Sequence, residues 1–173
     1  MKNFKDFDEL VELLESLNFS YDVQWKEKTI FKQVGYFKDE QYKIECYNFI
    51  DNNWFFKFYK FDNEIEDFVT SINPKEKTLS FTESSNILGT IRRTILDFIK
   101  SEEPNSVSFI AIDNSKGRKG LYDLFSNEII NKYNKYKNIS YLQDNYKLYI
   151  IFKDKKDIIK IRKAIYDEYK ILF

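Results

Sequence analysis

Apolar residues along the chain follow two different spacings. The segment from Gln33 to Asp62 is dense in Tyr, Phe and Ile, and its runs YKIECYNF and WFFKFYKF are typical of β-strands. Between them lies Asp51 to Asn53, whose residue types tolerate the left-handed backbone of a tight turn. We therefore predict an antiparallel hairpin, with an earlier strand near Phe31 to Phe37 beside its first strand.

Other segments show the apolar spacing of three to four residues that marks amphipathic helices. The first runs from Asp8 to Asn18, and a long second one is capped by Ser84 or Ser85 and ends before Pro104. The third runs from Gly117 to Tyr133, with Leu121, Phe125 and Ile129 buried, and the fourth runs from Lys155 to Tyr169, with Ile158, Ile161 and Ile165 inward.

Further strands complete the predicted sheet. SVSFIAID is almost wholly apolar, as strands buried on both faces are, and ISYL with YKLYIIF predicts a closing hairpin around Asp144 and Asn145. KTLSF predicts another strand, and NEIEDFVTSINPKEK a short helix. The chain is therefore predicted to be one α+β domain, 1–173. Its central mixed sheet has about six or seven strands and is flanked by helices on both faces, with a parallel crossover from KTLSF to SVSFIAID.

Composition excludes several kinds of chemistry. The 173 residues include no histidine, which excludes Ser-His and Cys-His nucleophiles and the commonest zinc ligand. Cys46 is the only cysteine, so no internal disulfide forms, and we predict that it is buried. Lys and Arg together equal Asp and Glu at 28 each, so no overall field attracts nucleic acid. The N-terminus mixes acids with apolar residues, unlike a signal peptide or a membrane span, and a cytoplasmic protein is expected.

The order of elements resembles the GNAT acetyltransferase fold over most of the chain, most strongly between Lys77 and Phe152. Within that fold, SVSFIAID followed by GRKGLYDLF resembles a phage-encoded group of uncharacterised proteins. The resemblance implies a GNAT-like sheet but no settled activity. Its matching positions are Pro104, Val107, Phe109, Ala111, Arg118, Leu121 and Tyr122.

In catalytic GNAT proteins, a Gln/Arg-x-x-Gly-x-Gly/Ala turn before the crossover helix holds the pyrophosphate of acetyl-CoA on backbone N–H groups. The matching stretch here, FTESSNILGTIRR, keeps only Gly89, about one turn inside the predicted helix, and Glu83 would repel an anion. The alternative is that the two serines are ordinary helix caps and that the basic loop around Arg118 is a solvated turn. The cofactor-binding candidates that the resemblance implies are Ser84, Ser85, Asn86, Ile87, Leu88, Gly89 and Arg118.

Tyr122 is the candidate catalytic residue. The resemblance implies that a tyrosine early in this helix acts as general acid towards the departing thiolate, and a phenol can donate a proton at neutral pH. The alternative is a tyrosine that packs on the sheet. The acceptor base would be an acid on the sheet, for example Glu45, although the sequence does not select among the acids.

Three functions of different classes are compatible with these observations. The leading hypothesis is a non-catalytic GNAT-like protein of a phage or mobile element, without cofactor, that binds another protein in a virion or on a host factor. Aromatic side chains on the outside of the sheet would favour it. The alternative is a divergent acetyl-CoA-dependent N-acetyltransferase, which needs a cleft between splayed strands for the pantetheine arm. Nucleic-acid binding through Lys116 to Lys119 is disfavoured by the zero net charge.

Overall fold

The computed structural model of the protein describes residues 19–69, 81–112, 116–144 and 146–173. The predicted helix at 8–18 lies outside these residues. The strands are β1 (Gln24–Lys28), β2 (Lys32–Phe37), β3 (Tyr42–Ile50), β4 (Asn53–Asp62), β5 (Asp67–Val69), β6 (Ser106–Ile112), β7 (Lys137–Gln143) and β8 (Tyr146–Phe152). The helices are α1 (Phe81–Glu102), α2 (Lys116–Lys132) and α3 (Lys155–Tyr169).

Seven strands lie side by side in the order β1-β2-β3-β4-β6-β8-β7. Neighbours are antiparallel except β4 and β6, which run parallel from the Asn53–Ser106 pair to the Phe56–Phe109 pair. Beyond that point the short strand β5 pairs with the end of β4. The prediction of an α+β chain with a mixed sheet of about seven strands is therefore confirmed.

The central hairpin forms where the sequence predicts it. Asp51 and Asn52 connect β3 to β4 with φ angles of 50° and 58°, a left-handed turn that matches the twist of the paired strands. The Asn52 side chain accepts a hydrogen bond from Trp54 Nε1 at 2.7 Å, which holds the turn against β4. The closing hairpin of β7 and β8 and the inward isoleucines of α3 are confirmed as well.

Side chains of the central strands alternate between two apolar clusters. Along β4, Trp54 and Phe56 belong to a cluster with residues of α1 and α2, whereas Phe55 belongs to a cluster with residues of α3. This alternation follows from the period of two in a β-strand. Cys46 is buried in the first cluster as predicted, and burial raises the pKa of its thiol.

Some boundaries differ from the prediction. α1 begins at Phe81, so Phe81 is helical rather than the last residue of a strand, and the rest of KTLSF lies outside the described residues. The parallel crossover was predicted to start from KTLSF, but the parallel neighbour of β6 is β4. Within the segment predicted to hold a short helix, residues 63–66 form a turn and Asp67–Val69 form β5, and its remaining residues lie outside the described part of the chain. Arg92 of α1 is half-buried, because its guanidinium binds the Glu128 carboxylate on α2.

Candidate functional site

The residues predicted to hold a pyrophosphate lie inside α1 rather than at its beginning. Ser84 and Ser85 do not cap the helix, because α1 begins at Phe81. Only the first four N–H groups of a helix lack a partner within it, and those of Asn86, Ile87, Leu88 and Gly89 come after them. These four residues therefore do not offer the free N–H groups that bind an anion.

Arg118 lies in the first turn of α2, as predicted. Its side chain lies outside the described part of the structure.

Tyr122 is part of an aromatic cluster between α2 and the sheet. Its ring centroid lies 5.7 Å from that of Phe109 on β6, 5.9 Å from Tyr149 on β8 and 5.9 Å from Phe125 on α2. Such contacts between tilted rings stabilise a core beyond the burial of area alone. The ring of Tyr122 therefore packs against the sheet.

A network of ionisable side chains surrounds Glu45 on β3. Glu45 Oε2 accepts hydrogen bonds from the hydroxyls of Tyr47 and Tyr59, the latter at 3.0 Å, and Oε1 lies 3.0 Å from Lys43 Nζ. Lys43 and Tyr47 flank Glu45 at two-residue spacing on β3, and Tyr59 lies opposite Lys43 on β4, so the sheet places all four on one face.

The contacts in this network shift the pKa of Glu45 and those of the two tyrosines in opposite directions. Burial alone would raise the pKa of the Glu45 carboxyl, but the hydrogen bonds from Tyr47, Lys43 and Tyr59 outweigh it and lower the pKa. Burial and the adjacent carboxylate raise the pKa of both phenols well above their ordinary range. A carboxylate with a lowered pKa is a poor general base, so this network is better suited to structure than to proton transfer.

Lys57 of β4 lies between the Glu45 network and the end of α3. Its Nζ lies 3.0 Å from Glu168 Oε1, 4.5 Å from the ring centroid of Tyr169 and 5.1 Å from that of Tyr47. These contacts hold the end of α3 against β4.

One edge of β4 is shared between two partners. β6 pairs with β4 only as far as Phe56, and β5 begins to pair with it at Lys60. Between these pairings, residues 57–59 have no strand partner on that edge within the described residues. β5 therefore occupies this edge of β4 beyond the point where β4 and β6 stop pairing.

The turn between β1 and β2, at the end of the sheet where β4 begins, displays two apolar side chains. Ile30 and Phe31, in the turn between β1 and β2, are 73% and 68% exposed. Thr29 Oγ1 donates to Lys32 O at 2.9 Å and accepts from the N–H groups of Phe31 and Lys32. Asn48 of β3 donates its backbone N–H to Phe31 O at 2.9 Å and its side-chain amide to Ile30 O at 3.1 Å. We call this turn, residues 29–32, the Ile30–Phe31 turn; sequence reasoning missed it.

The described residues contain neither a candidate metal site nor a membrane-spanning helix. No group of three or more His, Cys, Asp or Glu suited to a metal ion occurs within them. Of the helices α1, α2 and α3, none has the length and apolar character needed to cross a bilayer. Comparison with protein families, with curated proteins and with solved structures gives no match for this chain.

Proposed function

We propose that the chain is a GNAT-like protein without transferase activity, encoded by a phage or mobile element, that acts by docking on another protein in a virion or in the host cytoplasm. The parallel pair of β4 and β6, with α1 between them in the chain, supports a GNAT-like scaffold. In this proposal α1 and α2 cover one face of the sheet and α3 the other, which the alternation of β4 side chains between two clusters supports.

Two features support the loss of transferase activity. The pantetheine arm of acetyl-CoA is expected between splayed parallel strands, and β5 pairs with β4 beyond the point where β4 and β6 stop pairing. In addition, α1 begins before the serines, so the predicted phosphate-binding N–H groups lie within the helix.

The Ile30–Phe31 turn is the observation that carries the docking proposal. These two adjacent side chains are highly exposed and contribute nothing to the core. Covering them with another surface would remove apolar area from water, which favours binding. The hydrogen bonds from Thr29 and Asn48 hold the turn in one conformation. A partner therefore does not have to order this loop, which lowers the entropic cost of binding.

A matched pair of variants tests the docking surface. The wild type, Phe31→Asp and Leu142→Asp are immobilised and exposed to host lysate and to phage particles. Leu142 is 57% exposed on β7, so it controls for the loss of an exposed apolar residue elsewhere. We expect one partner to bind the wild type and Leu142→Asp, and to bind Phe31→Asp about tenfold or more weakly in titrations with the purified partner. Equal binding of that partner to all three proteins would refute the proposed surface.

A divergent acetyl-CoA-dependent N-acetyltransferase is the second candidate, and the divergence of β4 from β6 favours it. Residues 57–59 keep a free edge within the described residues, and Tyr122 would act as the general acid. Calorimetric titration with acetyl-CoA and CoA separates the two functions. The docking proposal predicts no binding at millimolar ligand. Micromolar binding that survives in Tyr122→Phe, together with transfer that this variant loses, would instead establish the transferase.

A further inference from the structure

A partly open cavity of about 540 Å³ lies between β1 and α1, away from the features described above. Its volume falls in the range of small-molecule sites. Its lining combines aromatic and polar side chains, as ligand pockets do. The lining residues that matter here are Tyr21, Trp25, Gln33, Thr90, Thr94 and Phe98.

Gln33 of β2 is the unusual member of this lining. It is only 5% exposed, and its side-chain amide makes no hydrogen bond with another residue of the described part of the chain. Because Gln33 lines a partly open cavity rather than being sealed from solvent, water can reach its amide there. The cavity is large enough for a ligand, so a ligand group can take the place of water at this amide.

Gly35 shapes the wall beside Gln33. A Cβ atom at Gly35 would lie 2.5 Å from Val23 Cγ1, closer than real side chains allow, and in tight contact at 3.0 Å with Trp25 Cε3. The glycine therefore lets β1 bring Trp25 down onto the sheet. Two residues earlier on β2, Gln33 lines the same cavity as this indole.

Charges around the cavity cancel. Lys28 and Arg93 are opposed by Asp22 and Asp97, and Arg93 lies 3.8 Å from Asp22 and 3.6 Å from Asp97. Because these acids already engage the guanidinium, the cavity offers no surplus positive charge to a phosphate. Its ligand is therefore expected to be neutral.

We propose that this cavity binds a neutral planar heterocycle of the nucleobase or nucleoside class, held by the Gln33 amide. A carboxamide presents a donor beside an acceptor, and glutamine pairs in this way with the edge of adenine. Tyr21, Trp25 and Phe98 supply the aromatic surface that favours a planar ring.

Titration of the wild-type protein with adenosine, guanosine, uridine and cytidine tests the proposal. Trp25 lines the cavity whereas Trp54 is buried in the core, so binding is followed through tryptophan fluorescence and checked by calorimetry. We expect at least one nucleoside to bind with a micromolar dissociation constant and its 5′-monophosphate to bind no more tightly. No binding of any of the four at millimolar concentration, or much tighter binding of the monophosphate, would overturn the proposal.

Gln33→Met separates a ligand-binding role from a structural one. The substitution keeps the side-chain volume and removes the amide, so we expect nucleoside affinity to fall about tenfold or more while the melting temperature stays the same or rises. Gln143→Met, at the exposed end of β7, is the control and changes neither quantity. Unchanged affinity in Gln33→Met would show that the amide does not hold the ligand.

Discussion

At the residue scale, the clearest consequence concerns Glu45. Its pKa is lower in the folded state than in the unfolded chain, so the ionised carboxylate stabilises the fold above the ordinary glutamate pKa of about 4.3. This contribution disappears as the pH falls through the folded-state value. We predict that Glu45→Gln lowers the free energy of unfolding by roughly 1–3 kcal/mol at pH 7. The substitution removes the ion pair with Lys43 and takes away a carboxylate oxygen that accepts a tyrosine hydroxyl.

Denaturant unfolding measured between neutral and acid pH checks this prediction. The difference between Glu45→Gln and the wild type should shrink as the pH falls, since the wild-type carboxylate becomes protonated. Glu64→Gln, on an exposed turn, serves as the control and should follow the wild type at every pH. A difference that stays constant with pH would mean that the charge of Glu45 is not the stabilising feature.

Gly35 gives a second prediction at this scale. Gly35→Ala would normally favour a strand slightly, but the added methyl group collides with Val23 and Trp25. Overpacking of this kind costs about 1–3 kcal/mol, which exceeds the gain in strand propensity. We therefore expect a lower melting temperature together with a changed Trp25 fluorescence. An unchanged or higher melting temperature would show that β1 moves aside without cost.

At the scale of elements, a buried hydrogen-bond chain joins two strands and a helix. Ser106 Oγ of β6 donates to Asn53 Oδ1 of β4 at 2.6 Å, and Asn53 Nδ2 donates to Asp157 Oδ1 of α3 at 3.2 Å. All three side chains are buried. The chain crosses the sheet where β4 and β6 run parallel, so it fixes the position of α3 relative to both strands.

Asn53→Ala is predicted to lower the free energy of unfolding by about 3 kcal/mol, because it leaves Ser106 and Asp157 buried without this partner. Ser106→Ala is the matched comparison and should cost about 1 kcal/mol, since it removes one donor and leaves the Asp157 contact intact. The double variant should be no worse than Asn53→Ala alone. Equal effects of the two single variants, measured in urea, would contradict this order.

The elements also show what sequence could predict. Turn chemistry at Asp51 located the hairpin, but the register that places Glu45 opposite Lys57 also depends on an irregularity between Asn48 and Ile50, which shifts the pairing by one residue. β1 was missed because QWKEK is largely polar and mostly exposed, so it carries no periodic signal. The beginning of α1 was misplaced because serine favours helix caps, whereas here Ser84 and Ser85 lie within the helix. The cavity that Gln33 lines depends on the packing between β1 and α1, which no local pattern encodes.

At the scale of the whole molecule, stability is expected to differ between the middle and the edges of the sheet. β6 is bonded on both sides, to β4 and to β8, and its Val107 and Phe109 are fully buried. β1 and β7 form the two edges. The pairing of β1 with β2 is also interrupted between Trp25 and Glu27, whereas β7 pairs regularly with β8 over its whole length.

Native-state hydrogen exchange should therefore rank these strands. Opening of β6 requires loss of both neighbours and of the core around Phe109, so its bonded amides should exchange only through global unfolding. The amides of β1 should exchange at least about a hundredfold faster, which corresponds to roughly 2.7 kcal/mol less opening free energy. The bonded amides of β7 should lie between, because β7 has an edge position without an irregularity. Equal protection of β1 and β6 would mean that the sheet opens as one unit and that the cavity beside Trp25 is as rigid as the core.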